Sequence, residues 1–319
     1  MFTDPRVSAC IVLYHAPKEV LQTVRCLQNA TTPLTLFVVD NSPRDDTARN
    51  ILTQCSHAHI SRSEHNLGYA AGNNKVLKKL KSDYHLILNP DVTFEPDVIQ
   101  RMVAFMDAHP DVMVLTPRVL NVDGTEQYLP KLRPTIRFLL GGPLARRGER
   151  KKAKGEKLTQ TARTAAEAAQ AARSRYENGK HRGPSDLLRL AALNVRAGHL
   201  RRKAERLIRQ GEQMGAWRAA YTLANDPPKG PVAVQFATGC FLMIRTRLFY
   251  RLGGFDDHYF LYHEDSDLSM QVLRYGKIIY HPDICVTHAW QRDSSRKFLL
   301  RLVHIKSTIR FFNKWGWKW

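Results

Sequence analysis

The stretch VSACIVLYHAPKEVLQTVRCL, residues 7–27, predicts the fold class because a strand pattern leads directly into a helix pattern. Residues 7–14 form a short apolar run rich in β-branched side chains, which is typical of a strand buried inside a parallel sheet. After Pro17, apolar residues recur at helical spacing, namely Val20, Leu21, Val24 and Leu27. We therefore expect a β-strand followed by an amphipathic helix.

The same alternation continues through the N-terminal third of the chain. Strands are predicted at 34–39, near His59 and at 84–88, with helices from Asp46 and over 70–80 between them. Strands that alternate with helices favour a parallel, doubly wound sheet. Ligands of such sheets bind beyond the carboxyl ends of the strands. The polar residues at those ends are Asp40, Asn41, Asn89 and Asp91.

The pattern continues later in the chain, with an interruption. A helix is predicted over 97–109 and a strand over 112–115. After Pro227-Pro228, strands are predicted at 232–244 and 277–280, a helix at 266–274 and a basic amphipathic helix at 295–314.

The interruption is strongly basic. Residues 143–230 contain 21 Lys and Arg against eight Asp and Glu, a net charge of +13 out of +20 for the 319-residue chain. The segment is rich in Ala, Arg, Lys and Glu and is broken at 178–184, which predicts two or more basic helices inserted into the α/β pattern. Such a charge attracts anions. Nucleic acid is not indicated, because the sequence has no helix-turn-helix, zinc-finger or RNP-type motif.

The cysteines and the hydropathy of the chain indicate the cellular compartment of the protein. The five cysteines are scattered and include no CxxC pair, which indicates neither a disulfide framework nor a zinc site and favours a reducing cytosol. The first residues lack the pattern of a signal peptide, and no apolar stretch approaches the roughly 20 residues that span a bilayer. We expect a protein that is neither exported by a signal peptide nor integral to a membrane.

Two segments of the N-terminal third carry groups suited to a nucleotide. Asp40 and Asn41 end an apolar strand, where a carboxylate and an amide suit the edge of a pyrimidine or a ribose hydroxyl; an aspartate that only caps the next turn is the alternative. Residues 66–73, NLGYAAGN, place small residues at a predicted helix start, where free N–H groups and the helix dipole suit a diphosphate. A tight turn without a ligand explains the glycines equally well.

Other segments carry carboxylates and a histidine. Pro90 favours an extended backbone that holds Asp91 at a strand end, as one oxygen ligand for Mg²⁺ or Mn²⁺. Crowded carboxylates repel one another, which a fold tolerates mainly for a cation or for acid-base chemistry, although a solvated loop is the simpler alternative. The crowded set is Asp256, Asp257, Glu264, Asp265 and Asp267. His288 ends another strand, either as a structural residue or as a ligand.

Taken in order, these pieces resemble the family 2 inverting glycosyltransferases with the GT-A fold, and among them the bacterial rhamnosyltransferase-like members that build surface polysaccharide. The resemblance covers about 230 of the 319 residues. The matching motifs are VSACIVLYH (7–15), VVDNSP (38–43), NLGYAAGNN (66–74), LILNPDV (86–92), ATGCFLMIR (237–245), GGFDDHYFLYHEDSDL (253–268) and ICVTHAW (284–290).

The resemblance implies an α/β fold of the GT-A type, in which a doubly wound mixed sheet binds a nucleotide sugar and is flanked by helices, with a basic helical insertion. It implies four parts: a nucleotide-sugar-binding half at 1–142, the insertion at 143–230, an acceptor and catalytic half at 231–294, and a C-terminal basic helix with an aromatic tail at 295–319.

The resemblance also implies roles for individual residues. Asp265 is expected to be the general base, as the second carboxylate of a Glu-Asp pair. Asp91 is the remaining carboxylate of a DxD-type metal motif whose first position is Asn89 here, and His288 completes the shell of a Mg²⁺ or Mn²⁺ ion. The expected donor-binding residues are Tyr14, Asp40, Asn41, Asn66, Gly68, Gly72, Asn73 and Asn89; the expected acceptor-side residues are Gly239, Glu264 and Asp267.

The implied reaction is an inverting transfer of a sugar from a nucleoside-diphosphate donor to a glycan or lipid-linked glycan in cell-surface polysaccharide synthesis. A dTDP-rhamnose donor is favoured because the C-terminal helix also resembles that subgroup at His304, Ser307, Arg310, Phe311 and Lys314. A non-catalytic protein of the same fold that binds glycans or nucleotide sugars is the alternative. Retention of Asp91, Asp265 and His288 argues against it.

The expected location is the cytoplasm, peripheral to the inner face of the bacterial cytoplasmic membrane. There the basic insertion docks on anionic lipid, unless it is only a solvated helical decoration. The C-terminal tail interleaves aromatic residues with lysines, which suits either an interfacial anchor or packing onto the core. Its aromatic residues are Phe311, Phe312, Trp315, Trp317 and Trp319.

Overall fold

The computed structural model describes residues 5–15, 18–42, 47–179, 183–289 and 298–319. They form two compact units, of which the first contains the chain up to Pro134 together with Thr222–Lys318. The second consists mainly of Thr135–Tyr221, compared with 143–230 for the predicted insertion. The predicted helix starts at Asp46 and Ser295 lie outside the described residues.

The strands all belong to the first unit. They are β1 (Val7–Leu13), β2 (Leu34–Asp40), β3 (His59–Arg62), β4 (Tyr84–Leu88), β5 (Val92–Phe94), β6 (Val112–Leu120), β7 (Val232–Val234), β8 (Phe241–Arg245) and β9 (Lys277–His288). The helices are α1 (Val20–Gln28), α2 (Thr47–Gln54), α3 (Gly68–Asn74), α4 (Val98–Ala108), α5 (Ile136–Glu177), α6 (Pro184–Thr222), α7 (Thr246–Leu252), α8 (Glu264–Val272) and α9 (Phe298–Trp315).

The strands form one mixed sheet in the order β3-β2-β1-β4-β8-β6-β9-β5, with β7 paired to β9. The neighbours from β3 to β4 are parallel, as the strand and helix alternation predicts. Beyond β4 the purely parallel expectation fails, because β8 is antiparallel to both β4 and β6. The strand predicted over 232–244 accordingly divides into β7 and β8, which pair with different neighbours.

The carboxyl ends of the parallel strands β1, β2 and β4 lie at one edge of the sheet. Leu13 of β1 lies opposite Asp40 of β2, and Ile11 lies opposite Leu88 of β4. The next residue after β2, Asn41, donates its backbone N–H to the carbonyl of Leu13 (2.9 Å). The polar residues that follow β1, β2 and β4 therefore share this edge.

Strand β9 joins two strands that the sequence pattern predicts separately, one over 277–280 and one that ends at His288. The first predicted strand stops before Pro282, which cannot donate to a sheet. In the structure, the register with β6 shifts between Pro117 and Arg118, and β9 continues past the irregularity to His288. There His288 pairs with Val92 of the short strand β5, immediately after Asp91.

Helices cover both faces of the sheet because alternate strand residues point to opposite sides. Ile11 and Leu13 of β1 pack in the same buried cluster as Val24 of α1, whereas Cys10 and Val12 pack on the other side with Val76. Within the described ranges, no helix combines the length and apolar character needed to cross a bilayer.

The second unit is a pair of long basic helices packed through small residues. On α5, buried small residues recur every seven positions, at Gly148, Gly155, Ala162 and Ala169. This spacing keeps one stripe of the helix against its partner. A Cβ atom added at Gly148 would lie 2.6 Å from the carbonyl oxygen of Gly211 on α6, so the two backbones are in contact.

Two glycines of this unit give opposite expectations. Gly148→Ala should lower the free energy of unfolding by about 1–3 kcal/mol, because the added methyl meets backbone rather than a movable side chain. Gly215→Ala should raise it by up to about 1 kcal/mol, since nothing lies within 4 Å and alanine favours the helix. Denaturant unfolding followed by circular dichroism measures both. Effects of the same sign would contradict the close backbone contact.

Candidate active site

Asp40 occupies the carboxyl end of β2 as a buried carboxylate, with 1% of its surface exposed. One carboxylate oxygen accepts a hydrogen bond from the backbone N–H of Ser42 (2.9 Å). The other lies 3.6 Å from the Arg62 Nε and has no hydrogen-bond partner among the described residues. The local turn is therefore capped by one oxygen, and the second oxygen is left to accept a further donor.

Asn41 and Asn73, like Asp40, each use one side-chain atom in a hydrogen bond and leave a side-chain oxygen without one. The Asn41 side-chain amide donates to the carbonyl of Gly68 (3.1 Å), and that of Asn73 donates to the carbonyl of Tyr69 (2.9 Å). Within the described part of the chain, both side-chain oxygens are buried without a hydrogen-bond partner. Buried polar atoms in folded proteins are almost always paired, so unpaired acceptors at a ligand-binding edge indicate where donor groups of a ligand belong.

The start of α3 differs from the expectation of free N–H groups. The N–H of Gly68 is taken by the side chain of Asn66 (2.9 Å), and the N–H of Tyr69 is taken by the carbonyl of Phe260 (2.8 Å). These two amides are therefore not free N–H groups for a diphosphate, unlike the expectation for this helix start. Phe260 lies far away in sequence, so nothing in the local pattern could reveal that contact.

The glycines of this segment have steric roles. Gly68 has φ of +81°, and a Cβ there would lie 2.2 Å from the carbonyl oxygen of Phe260. A Cβ at Gly72 would lie 2.7 Å from Val12 and 3.3 Å from the Asn41 side-chain nitrogen. These contacts favour the tight-turn explanation of the glycines, with Gly72 setting how closely α3 approaches Asn41.

Tyr14 follows β1 at the same edge and is half exposed. The next residue, His15, has φ of +46° and donates its backbone N–H to the Ser42 hydroxyl (2.8 Å). That bond joins the ends of β1 and β2 and leaves the tyrosine ring accessible at the edge.

Asn89, Asp91 and His288 come together at the ends of β4 and β9. The Nε2 atom of His288 lies 3.2 Å from a carboxylate oxygen of Asp91 and 3.2 Å from the side-chain nitrogen of Asn89. The backbone N–H of Asn89 donates to the carbonyl of Cys240 (2.9 Å). The structure thus places both predicted metal ligands side by side, with Asn89 as their neighbour.

Gln127 fixes the orientation of the His288 ring. Its side-chain oxygen, which can only accept, lies 3.2 Å from His288 Nδ1, while its amide donates to the His288 carbonyl (2.7 Å). The Nδ1 atom therefore carries the hydrogen, and in the neutral ring Nε2 presents its lone pair towards Asp91. A histidine held in this way through its other nitrogen is the usual arrangement of a metal ligand.

Thr23 supports the turn that contains Asp91. Its hydroxyl donates to the carbonyl of Pro90 (2.8 Å) and accepts from the N–H of Val92 (3.1 Å). Sequence reasoning missed Thr23 and Gln127. The only signal for Thr23 is a polar residue on the apolar face of α1; for Gln127, in an irregular segment, we find none.

Asp265 is the second residue of α8 and a partly exposed carboxylate. Its oxygens accept hydrogen bonds from the N–H groups of Gly239 (3.1 Å) and Ser266 (2.7 Å). Burial raises the pKa of Asp265, and these hydrogen bonds oppose the shift. Because Gly239 adjoins Cys240, whose carbonyl holds Asn89, the Gly239–Cys240 segment links Asp265 to the Asn89, Asp91 and His288 group.

Glu264 is more deeply buried than its neighbour. Only 6% of it is exposed, and one of its carboxylate oxygens has no hydrogen-bond partner among the described residues. Burial, together with the charge of Asp265, raises the pKa of Glu264 well above its ordinary value. Of the two carboxylates, Asp265 is the one that is partly exposed, so it is the one that an incoming hydroxyl can reach.

Asp267 cannot take the acceptor-side role expected for it. The side chain has no exposed surface. Its oxygens accept hydrogen bonds from Trp315 Nε1 (2.6 Å), Lys314 Nζ (2.9 Å) and Gln271 Nε2 (2.7 Å). A buried carboxylate needs such partners, and here they attach α8 to α9.

Asp256, Asp257 and His258 offer ligand atoms within 4.8 Å of one another, but the charge of Asp256 is already paired. Asp256 is paired with Arg310 (3.2 Å) and Lys314 (3.0 Å) on α9. Burial raises the pKa of Asp256, but hydrogen bonds from Lys314 and His258 bring it well below its usual value. The acidic stretch thus divides into a structural part at Asp256 and Asp267 and an accessible carboxylate at Asp265.

The backbone just before Glu264 is unusual. Tyr262 and His263 have φ of +69° and +64°, in the left-handed region that residues other than glycine rarely adopt. His263 stacks on Phe311 of α9 (5.3 Å between ring centres) and its Nε2 lies 3.1 Å from the Thr308 hydroxyl. Strain of this kind persists only where the surroundings hold it, and it is common at active sites.

The mixed sheet, its carboxylate-bearing edge and the adjoining Asp265 define a glycosyltransferase with the GT-A fold. The chain belongs to glycosyl transferase family 2, whose sequence profile matches residues 8–172. The predicted family, fold class and enzyme class are confirmed. The roles of individual site residues stay predictions.

Two relatives are rhamnosyltransferases. Over 293 residues, 88% of this chain and 74% of the relative, the chain is 22% identical to the N-acetylglucosaminyl-diphospho-decaprenol L-rhamnosyltransferase of Mycobacterium tuberculosis strain H37Rv. Over 81 residues, 24% of this chain and 30% of the relative, it is 35% identical to rhamnosyltransferase WbbL of Escherichia coli K12.

Two solved structures share the fold. One is the mannosyltransferase PcManGT from Pyrobaculum calidifontis in complex with GDP-Man and Mn²⁺, with a TM-score of 0.52 and 15% identity. The other is GalNAc-T7 with UDP, GalNAc and Mn²⁺, with a TM-score of 0.54 and 12% identity. The match includes 98% of this chain in both cases, but only 64% of PcManGT and 48% of GalNAc-T7.

The Asp267 contacts predict a difference between two tryptophans of the C-terminal segment. Trp315→Phe should lower the free energy of unfolding by about 1–3 kcal/mol, because it removes a donor from a buried carboxylate. Trp317→Phe removes a bond to exposed Asn313 and should change stability by less than about 0.5 kcal/mol. Denaturant unfolding of both variants measures the difference. Equal effects would contradict the structural role of Asp267.

Proposed function

We propose that the chain transfers a sugar, with inversion, from a nucleoside-diphosphate donor to a hydroxyl of a glycan or lipid-linked glycan, with Asp265 as the general base. The observation that carries the proposal is the position of Asp265. It is a partly exposed carboxylate, linked through Gly239 and Cys240 to the Asn89, Asp91 and His288 group. A proton acceptor and a set of ligand atoms for a diphosphate-bound ion therefore adjoin one site.

The nucleoside is assigned to the edge beyond β1 and β2. Asp40, Asn41 and Asn73 each have a side-chain oxygen without a hydrogen-bond partner among the described residues. These oxygens suit N–H and O–H donors, which a pyrimidine and a ribose or deoxyribose supply. Tyr14 offers an exposed ring beside them. We assign rhamnose from a dTDP donor because two relatives are rhamnosyltransferases. We assign a lipid-linked acceptor because the mycobacterial relative is an N-acetylglucosaminyl-diphospho-decaprenol L-rhamnosyltransferase.

A divalent cation, Mg²⁺ or Mn²⁺, is assigned to Asp91 and His288. The fit rests on the facing atoms: the carboxylate of Asp91 and the lone pair of His288 Nε2 are both acceptors and could hold a cation together. The cation would then replace the hydrogen bond that the Asn89 side-chain nitrogen donates to Nε2. The structures of PcManGT and GalNAc-T7, two GT-A neighbours, contain Mn²⁺. When bound, such an ion neutralises charge on the leaving diphosphate.

The residues of this chain then divide the reaction between them. Asp265 accepts the proton of the acceptor hydroxyl while that oxygen forms a bond to the anomeric carbon. The bond from that carbon to the diphosphate oxygen breaks on the opposite face, which inverts the configuration. General-base assistance of this kind contributes roughly 10²- to 10⁴-fold. The Gly239 N–H holds the base in place, and no covalent enzyme intermediate is needed.

Substitution of the base is the sharpest test. Asp265→Asn should lower turnover by at least about 10²-fold with donor affinity nearly unchanged, because an amide keeps the shape but cannot accept the proton. Asp257→Asn, on an exposed carboxylate of the same acidic stretch, is the matched control and should retain turnover. Release of nucleoside diphosphate measures turnover, and calorimetry measures donor binding.

The pH profile adds an independent readout. Protonation of Asp265 removes the base, and burial raises its pKa. Activity should therefore fall as pH decreases, with the acid limb above the ordinary aspartate value of about 3.9.

Near-normal turnover of Asp265→Asn would move the base elsewhere, and wild-type protein that binds donor without turnover would favour the non-catalytic alternative.

Removal of the metal tests the second assignment. Asp91→Ala and His288→Ala should each weaken Mn²⁺-dependent donor binding by at least about tenfold, since ligands and their immediate supports have effects of this size. Asp257→Ala should not, although Asp257 belongs to the exposed acidic group. Calorimetric titration with donor, with and without Mn²⁺, measures all three. Full wild-type activity in EDTA would refute the metal assignment.

The place of transfer is assigned to an anionic membrane surface, at the inner face of the bacterial cytoplasmic membrane. The support is the net charge of +20 and the exposed basic surface of the second unit, where Arg202, Arg206 and Arg209 occupy neighbouring turns of α6. A basic residue near an anionic leaflet contributes about 1 kcal/mol to binding. Nucleic acid is not assigned, because the sequence contains no recognition motif for it.

A further inference from the structure

Helix α9 has two faces of different character. On one, Ser307, Phe311 and Phe312 are buried against the rest of the first unit. On the other, large apolar side chains are exposed. Their exposed fractions are 72% for Phe298, 74% for Leu299, 46% for Leu302, 53% for Ile305 and 45% for Ile309.

The exposed apolar residues form a continuous stripe. Phe298, Leu302, Ile305 and Ile309 follow one another at intervals of four, three and four residues, which places them along one side of a helix, with Leu299 beside them. Apolar residues exposed singly need no explanation, but a contiguous row marks a surface that contacts another apolar phase. We call these five residues the α9 stripe.

The charge of the helix indicates which phase that is. Its 18 residues include no acidic residue. Arg310 and Lys314 are paired with Asp256, whereas Arg301 and Lys306 are exposed beside the stripe. A second copy of the chain would bring another net charge of +20 to the same surface, which disfavours self-association. An anionic phospholipid surface supplies both hydrocarbon for the stripe and negative charge for the flanking cations.

We propose that the α9 stripe is the surface by which the chain docks on anionic phospholipid, with α9 lying in the plane of the interface. The proposal deepens the proposed function by naming the surface that meets the membrane carrying a lipid-linked acceptor. The helix lies on the membrane rather than across it, since no helix among the described residues is long and apolar enough to span one.

The opposite side of α9 connects this surface to the catalytic loop. The Ser307 hydroxyl donates to the carbonyl of Leu261 (2.8 Å), and Thr308 contacts His263 (3.1 Å). Leu261 and His263 immediately precede Glu264 and Asp265. A helix docked through its stripe thus keeps the acceptor-side loop attached to the membrane-facing element.

The proposed membrane anchor lies in a different part of the C-terminal segment from the one that the sequence indicates. The sequence favours the aromatic tail as an interfacial anchor or as part of the core. Phe311 and Phe312 have no exposed surface, and Trp315 donates to buried Asp267. These three rings belong to the core, whereas Trp317 and Trp319 are 56% and 70% exposed. We assign the anchor to the α9 stripe, earlier in the same helix.

Vesicle flotation of the full-length protein tests the proposal, with phosphatidylcholine vesicles containing about one quarter phosphatidylglycerol. Replacing Leu302 and Ile305 together by Gln (L302Q, I305Q) should weaken binding about tenfold or more, because glutamine keeps the helix but loses the apolar contact. The matched control replaces Leu188 and Val195 of α6 by Gln (L188Q, V195Q). These side chains are 72% and 70% exposed, and the change should alter binding less than twofold.

A second variant keeps the apolar residues and changes the charge. Lys306→Glu should weaken binding to the anionic vesicles about fivefold or more, in line with the contribution of one basic residue near such a surface. Thermal unfolding verifies that each variant is folded. Hydrolysis of the nucleotide sugar without acceptor should remain at the wild-type rate in all of them, so loss of docking is distinguishable from loss of the proposed catalysis.

Three results would overturn the proposal. The first is equal vesicle binding by the stripe variant and the wild-type protein. The second is an equal loss in the α6 control, which would move docking to the second unit. The third is a wild-type dimer, measured by sedimentation without vesicles, that the stripe substitutions convert to monomer; the stripe would then be an interface between copies.

Discussion

The carboxylate of Asp267 has no contact with solvent. The packing of the acceptor side of the molecule depends on the groups that pair with this buried negative charge. An isolated buried charge costs several kcal/mol, so its partners have to be present whenever the domain is folded. Those partners come from a helix almost fifty residues later, through Lys314 and Trp315. Lys314 also reaches Asp256, so one ammonium group joins α9 to both ends of the acidic stretch.

That attachment fixes the loop on which Asp265 depends. With α9 in place, His263 is stacked on Phe311 and held in a left-handed conformation, from which the chain enters α8 at Glu264. Burial lowers the pKa of His263 to about 3, so the ring is neutral and adds no positive charge beside the Glu264–Asp265 pair. The charge next to the proposed base is therefore set by Glu264 and by the backbone N–H groups of Gly239 and Ser266.

The strand ends were predictable from sequence because burial on both faces leaves a clear signal. Strands β1, β2 and β4 are mostly apolar runs, so Asp40 and Asp91 stand out where the runs stop. The expectations that the structure does not match have a common physical cause, namely contacts between residues that are distant in sequence. Phe260 occupies the amide of Tyr69, Lys314 and Trp315 saturate Asp267, and β9 continues beyond Pro282 because β6 accommodates the irregularity. A local pattern contains no information about such partners.

The basic residues of the chain serve two different purposes, which net charge alone does not separate. In the second unit, the helices pack through Gly and Ala, while arginines form exposed pairs with Glu four residues away, such as Arg163 with Glu167 and Arg201 with Glu205. Pairs of this kind contribute only about 0.3–0.5 kcal/mol each. These pairs therefore contribute little to folding, and the net positive charge that remains produces a field that attracts anions. Lys314 is the opposite case, because its charge is consumed by two aspartates inside the fold.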